Sequence, residues 1–452
     1  MNVTDTKPRT GLISLGQLRS AVEEDQIRAV TPVVPDMHGF LKGKRVTADL
    51  FLNQLDQDED TVGETCAYLL ATDRRMTVSP AIKHGLMSWS RGFEDMSLKP
   101  DLDTIRLMPH TPGVALVHCD AVDTGGKLLD IAPRQMLRTQ LSLLEAEGYE
   151  IRIGWESEFL LHHGQRPVTR HNADYALNLP PGLSDFFRSL EEALLNAETP
   201  PEAFKGESAP GQLEVTFPYG EAMRACDNYT VYRQTLQHIA EQRGMRVNFM
   251  AAPTDETGSG LHLHLSLWRD NEPVFATGRG DDLPQPMVYA IGGLLAGLPD
   301  LAPLWAPVPN SYKRFRSHSF APQYMNWGYD HRGCAVRITG HGRGRHLELR
   351  VPGADANPYL VATAATASLV RGLGGKTLPP RACTGDAYHD YGCPRIHRDL
   401  VEGLRAFMSS DFSVAALGTG VLHHYGVATQ HEIDVHRTRV TDVERERGDS
   451  RA

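Results

Sequence analysis

Ile151-Arg152-Ile153-Gly154-Trp155-Glu156-Ser157-Glu158 alternates with the period of a β-strand, and its two glutamates, at i and i+2, share one face. Three further stretches repeat the pattern. Gln212-Leu213-Glu214-Val215-Thr216-Phe217 turns Glu214 away from Leu213, Val215 and Phe217. Leu261-His262-Leu263-His264-Leu265-Ser266-Leu267 places two histidines and a serine on one side, and His346-Leu347-Glu348-Leu349-Arg350-Val351 does the same with His, Glu and Arg. A sheet whose polar face carries this set is either wet or a metal–nucleotide site, and the second reading accounts for more of the residues.

The rest of the chain bounds the answer. Its 452 residues exceed one typical domain, and 41% apolar with 23% charged residues is ordinary for a globular protein. A net charge of -10 with no Lys/Arg block argues against a nucleic-acid partner. Cys66, Cys119, Cys226, Cys334, Cys383 and Cys393 are scattered without a CxxC pair, which fits reduced thiols and a cytoplasmic protein. Met1 to Thr10 is polar and lacks a signal-peptide core. No run of about 18 apolar residues points to a membrane span.

Leu15 to Glu24 reads as a short helix, followed by a strand near Ile27–Val34, a turn at Pro35–Gly39 and a returning strand over Phe40–Ala48. Ser79 to Pro112 reads as loops. Val114–Val122 is a strand, and Pro133 opens a helix to about Glu147. Helices then fall near Ser184–Asn196, Gly220–Arg243, Pro286–Gly297, Asn357–Gly372 and Ile396–Met408, and Thr441 to Ala452 reads as a frayed charged tail. The expected architecture is α+β: a small β-rich domain over 15–112 and a larger catalytic domain over 113–452.

Glu156, Glu158, Glu207, Glu214, His262 and Glu348 come from five segments. If they converge, the carboxylates cannot all stay ionised without cations, because like charges raise one another's pKa. Oxygen donors with a single imidazole favour hard ions such as Mg²⁺ or Mn²⁺ over zinc. Six ligands suffice for two ions, an arrangement that clamps phosphoryl groups. Each motif alone has a plainer account, such as a solvated strand edge or a polar turn; together they do not. Arg314, Arg332, Arg337, Arg345 and Arg350 add guanidinium forks suited to carboxylate or phosphate, though any one of them could be a surface ion pair, and for Arg343 and Arg345 that plainer reading is strong. Metal carboxylates beside anion-binding arginines point to ATP plus an acidic substrate.

These segments, in this order, resemble the glutamine synthetase family. The matching motifs are Glu156-Ser-Glu158-Phe159, Glu207 with Pro210-Gly211-Gln212-Leu213-Glu214, Gly258-Ser259-Gly260-Leu261-His262-Leu263-His264, Asn310-Ser311-Tyr312-Lys313-Arg314, Glu348-Leu-Arg350 and Asn357-Pro358-Tyr359-Leu360. Val440 to Arg447 resembles the family's C-terminal signature. The resemblance implies an N-terminal β-grasp domain and a catalytic domain with a curved antiparallel sheet flanked by helices. It also implies a homo-oligomer, usually a dodecamer of two hexameric rings, with active sites between adjacent subunits. Carried over by motif, Glu158, Glu207 and Glu214 would hold one metal, and Glu156, His262 and Glu348 the other. His264, Ser266 and Tyr219 would approach ATP. Arg314 and Arg350 would bind the glutamate carboxylate, with Gly258 near its amino group, while Arg332 and Arg337 would stabilise the transferred phosphate. The implied chemistry is ATP-dependent formation of γ-glutamyl phosphate, then attack by an amine.

One departure bears on the amine. Glutamine synthetases carry a glutamate just before an Ala-Pro pair on the loop over the site; here the loop runs from Arg314 to Pro322, and the position is Phe320. An aromatic ring cannot take a proton or balance ammonium as a carboxylate does, but it can wall an alkyl or aryl amine and offer a weak cation–π face. Asp36 matches the family's other ammonium-site carboxylate and would orient or deprotonate the amine; it reads equally as a turn residue before Gly39. Pro35 to Arg45 resembles the γ-glutamylpolyamine and γ-glutamylamine synthetase branch. Thr257 stands where Asn is usual beside the glutamate, and His346 where an ATP-binding Arg is common. The expected activity is a glutamate–amine ligase. A glutamine synthetase using ammonium and an inactive family member are the rivals.

Overall fold

The four alternating stretches lie in one sheet. It runs in the order Ala203–Gly206, Gln212–Thr216, Glu150–His163, Leu261–Arg269, His346–Leu349, Val336–Thr339 and Trp327–Tyr329, with shorter strands paired at its edges. All pairs along this path are antiparallel except the last, Trp327–Tyr329 with Val336–Thr339, which is parallel. The structure, a computed structural model, describes residues 11–449 apart from 58–59, 79–81, 83–84, 86 and 277–282. The polar start of the chain, Met1 to Thr10, and the end of its charged tail lie outside the described residues.

Alternation decides which face of the sheet is dry. Along Glu150–His163, Ile153, Trp155, Ser157 and Phe159 are buried, while Glu156 and Glu158 point the other way. Helices Pro133–Ala146 and Ala222–Gln242 cover the dry face, and Tyr229 of the second meets Ser157 Oγ at 3.2 Å. Both helices start where the sequence allows: Pro133 stands at the tolerant first turn, and the Glu221 carboxylate accepts from the Met223 and Arg224 N–H groups. Pro358–Gly374 packs against Pro133–Ala146 and Gln285–Gly297, and Asn357 caps its N-terminus. With one face walled by helices, the polar face is left for chemistry.

The N-terminal sheet orders Gly11–Leu12, Arg106–Leu107, Val114–Val122, Ala29–Pro35 and Leu41–Gly43, with Ala29–Pro35 parallel to Val114–Val122. Val114–Val122 is thus a central strand of this sheet, which runs ten residues past the expected boundary at 112. The segment read as loops holds strands Asp95–Pro100 and Arg106–Leu107, both recruited by pairing to Val114–Val122. The expected returning strand over Phe40–Ala48 is two short strands, Leu41–Gly43 and Val46–Thr47, and Ala48 already opens a helix. The 27-residue helix Asp411–Arg437, kinked at Gly418, was not anticipated, and Asp442–Gly448 of the charged tail is a helix capped by Thr441. Gln285–Trp305 has the length and composition of a membrane span, yet 72% of its most apolar window is buried within the protein.

A buried ion cluster joins the two sheets' supports. Arg134, on the Pro133–Ala146 helix, donates to Asp101, Asp120 and Asp227, and Tyr359 OH reaches Asp227 at 2.6 Å. Burial pushes the Asp227 carboxyl up, but Arg134 and the Tyr359 hydrogen bond hold it far below the ordinary carboxylate range.

Candidate active site

Strand register assembles the polar face row by row. Lys205, Glu214 and Glu158 are opposite one another in the first row; Thr216, Glu156 and His262 form the second; His264, Glu348 and Arg337 lie in the third. Cross-strand partners sit close enough to interact directly. With Glu207 just past the end of the first strand, one carboxylate oxygen from each of Glu158, Glu207 and Glu214 lies within 4.8 Å of the other two. His262 Nδ1 lies 2.6 Å from Glu156 Oε1 and 3.5 Å from Glu348 Oε1, so the six expected ligands form two adjoining groups. His264, expected beside ATP, also stands with Glu156 and Glu348.

The electrostatics of this face call for cations. Burial, then the neighbouring Glu156 charge, pushes Glu214 up to about 10, and burial raises the Glu158 carboxyl as well. Burial acts on Glu156 and Glu348 in the same direction, but the His262 and His264 rings draw Glu156 well below the carboxylate range, and Arg350 with those rings holds Glu348 at about 2. A face where some carboxylates are held ionised and others are forced neutral suits hard divalent ions, since one group of three carboxylates and one of two carboxylates with an imidazole match Mg²⁺ or Mn²⁺. Lys205, which the sequence reading passed over, supplies one positive charge: its ammonium contacts Glu207 and lies 3.5 Å from Glu214 and 3.2 Å from Asp174. Its position two residues before Glu207 on an alternating strand was the available signal. Gln212 was missed too; its side chain donates to Glu158 Oε2 at 3.1 Å and to the Gly258 carbonyl at 2.8 Å.

The arginines split into held and free groups. Arg314 is buried, donates to the Arg350 and Val351 carbonyls, and approaches His262 Nε2 at 3.2 Å; burial lowers its pKa to about 10. Gly258 lies against it, for a side chain there would meet Arg314 Cγ at 3.1 Å. Arg350 pairs with Glu348 and donates to the Arg332 carbonyl, while Arg337 pairs with both Glu348 and Asp330. The Arg332 side chain is exposed.

Beside the third row opens a cavity of about 390 Å³ whose lining includes Tyr219, His264, Ser266, Trp268, Arg345 and His346. Tyr219 is exposed and stacks on Trp268, which also lies under the Arg152 guanidinium at 3.7 Å. Such a flat, cation-backed aromatic shelf fits a planar heterocycle. Ser266 is buried and accepts from Trp268 Nε1. His346 Nε2 is 2.9 Å from His264 Nδ1.

Phe320 and Asp36 are the two residues expected at the amine. Phe320 lies on an exposed loop with 67% of its surface open and φ of +59°, a left-handed conformation uncommon for an aromatic residue. Asp36 is fully buried in the N-terminal turn; its Oδ1 accepts from the His38 and Phe40 N–H groups, as a turn aspartate does, and its Oδ2 has no hydrogen-bond partner.

Residues 130–448 match the model of the glutamine synthetase catalytic domain. The chain is 34% identical to gamma-glutamylethanolamide synthetase GlnA4 of Streptomyces coelicolor over 96% of each chain. It is 29% identical to the glutamate–isopropylamine ligase of a Pseudomonas species, covering 92% of this chain and 94% of that one. A solved GmaS/ADP complex superposes with a TM-score of 0.84 over 95% of this chain and 99% of the other, at 23% identity, and shares the fold. The chain belongs to the glutamine synthetase family, and it is a ligase.

Proposed function

We propose that this protein joins the γ-carboxylate of glutamate to a short organic amine, consuming ATP and releasing ADP and phosphate. The observation that carries this reading is Phe320, an exposed ring where glutamine synthetases hold a carboxylate against ammonium. Two relatives named for ethanolamine and isopropylamine products or substrates support it.

In this reading, Glu158, Glu207 and Glu214 would hold one divalent cation and Glu156, His262 and Glu348 another, and the bound ions would neutralise charge on the phosphates. Arg314 and Arg350, preset by backbone carbonyls and Glu348, orient the glutamate carboxylate, with Gly258 admitting its amino end. Tyr219 seats the adenine and His264 and Ser266 line its path. A γ-carboxylate oxygen attacks the terminal phosphorus of ATP, and the P–O bond to ADP breaks. Arg332 and Arg337 offset the charge on the transferred group. The amine then attacks the acyl carbon, the C–O bond to phosphate breaks, and the amine loses a proton. Asp36 is assigned that proton on the family resemblance, and its Oδ2, which accepts no hydrogen bond and lies 3.8 Å from the Lys42 ammonium, is the atom that would accept it. Phe320 forms the apolar side of the amine position. The same resemblance carries the ring assembly of two hexamers, and six free thiols support a cytoplasmic setting.

Glutamate labelled with heavy oxygen in its γ-carboxylate tests the route. Transfer of label into the released phosphate, with a γ-glutamylamide as the other product, is the expected result. Unlabelled phosphate would refute the acyl phosphate, and glutamine as the dominant product from mixed amines would refute the organic acceptor.

A further inference from the structure

One cluster of ligating side chains plays no part in the carboxylate face. The turn between Trp327–Tyr329 and Val336–Thr339 brings His331 and Cys334 beside Cys383, and one ligating atom from each lies within 4.8 Å of the other two. Cys334 is buried and the other two are half-buried. Asp390 stands at the edge of the group, with its carboxylate against the Cys383 and Cys393 thiols and 3.1 Å from Asn326 Nδ2.

The surroundings prepare these groups. His331 Nε2 lies 2.8 Å from the Gly385 carbonyl, which can only accept, so the proton sits on Nε2 and Nδ1 carries the lone pair. Metal-binding imidazoles are oriented in this way, with the far N–H on a carbonyl. At present Nδ1 accepts from the Gly333 N–H at 3.1 Å. Gly328 makes the room: a side chain there would meet His331 Cβ at 2.9 Å and Cys334 Sγ at 3.3 Å. Backbone bonds hold the far side, with the Cys383 N–H on the Trp327 carbonyl at 2.8 Å and the Trp327 indole on the Pro380 carbonyl at 2.7 Å.

We infer that His331, Cys334 and Cys383 bind a zinc-class cation, with the Asp390 carboxylate in the fourth position. Two thiolates and an imidazole form a soft donor set, which selects Zn²⁺ over the hard ions suited to the carboxylate face. Tetrahedral Zn–S and Zn–N bonds of about 2.0–2.3 Å require donors that start within 4.8 Å of one another to close by at most about an ångström. Binding forms two Zn–S bonds and one Zn–N bond, and the two thiol protons go to solvent. The bound ion would staple the turn that bears Arg332 to segment 383–393. Tyr388 in that segment packs at a tilt against His318, two residues from Phe320, with ring centroids 5.1 Å apart. The site stands or falls independently of the ligase reading.

The full chain, dialysed against metal-free buffer with excess Mg²⁺ to clear the carboxylate face, is analysed for zinc. One zinc per chain is expected, lost in Cys334→Ser and Cys383→Ser and retained in Cys66→Ser. Replacement with Co²⁺ should produce sulfur-to-cobalt charge-transfer absorption in the parent protein, a band that carboxylate ligation does not give. This keeps the test decisive if a serine variant fails to fold. Zinc content no higher than in Cys383→Ser with no charge-transfer band would overturn the inference. So would the loss of two thiols from the unfolded, unreduced protein, which would make Cys334 and Cys383 a disulfide.

Discussion

Lys205→Met tests whether the carboxylate face is built for cations. Lys205 contacts Glu207 and lies 3.5 Å from Glu214, so its ammonium competes for the oxygens that a metal would take. At an effective dielectric constant of about 20, a unit charge pair about 4 Å apart, such as Lys205 with the Glu207 carboxylate it contacts, attracts by about 4 kcal/mol. Removing both charges from water offsets most of this, leaving a net contribution of roughly 1–2 kcal/mol. If a bound cation displaces Lys205, methionine destabilises only the metal-free protein. The same free energy then reappears as tighter metal binding, about tenfold in Kd for 1.4 kcal/mol. Titration with Mn²⁺, followed by calorimetry on parent and variant, reads the affinity, and urea unfolding with and without Mn²⁺ reads the stability. The variant should unfold more easily without metal and match the parent when saturated. Weaker Mn²⁺ binding in Lys205→Met would refute the reasoning, for it would mean that Lys205 positions the ligands rather than opposing the ion.

Phe320→Glu should leave the unfolding midpoint nearly unchanged, because the ring is mostly open to solvent. It should raise kcat/KM for ammonium by about tenfold, the size of one charge-assisted hydrogen bond of about 1.5 kcal/mol, and lower it for isopropylamine; a constant ratio between the two amines sinks the role given to this ring. Asp227→Asn breaks the buried Arg134 cluster and should cost about 3 kcal/mol of stability in urea unfolding; a loss below about 1 kcal/mol would show that Asp101 and Asp120 suffice. His118 is fully buried beside Thr230, and burial lowers its pKa to about 4 from 6.5. The unfolded chain therefore binds a proton that the native state refuses between those values. Stability from this group is full above pH 6.5 and falls by up to about 3 kcal/mol as the pH drops to 4. His118→Asn should flatten that part of the pH profile relative to the parent, and identical slopes would contradict the assignment.

Period-two alternation made the strands of the catalytic sheet legible, because one face is walled by helices and the other carries charge. What alternation cannot supply is register. Glu158 opposite Glu214, and Glu156 opposite His262, depend on how separate strands slide past one another, and a slip by one residue would turn the set to the wrong face. The strands Asp95–Pro100 and Arg106–Leu107 were unreadable for the same reason: short and weakly patterned, they exist because Val114–Val122 offers them an edge. Asp411–Arg437 escaped because it is two helical pieces joined at Gly418, at φ of +77°, and its apolar residues do not gather into a clear stripe. Lys205 and the Thr441–Glu444 capping box were plainly visible and overlooked. Asp36 shows the opposite limit, since a motif match could not reveal that its Oδ1 is spent on its own turn.

Initial rates of phosphate release, with ATP, Mg²⁺ and glutamate, test the central claim most directly when ammonium is compared with methylamine, isopropylamine, ethanolamine, putrescine, spermidine and aniline. The account predicts release well above the ammonium rate with at least one short organic amine. Preference for ammonium across the whole set would contradict it.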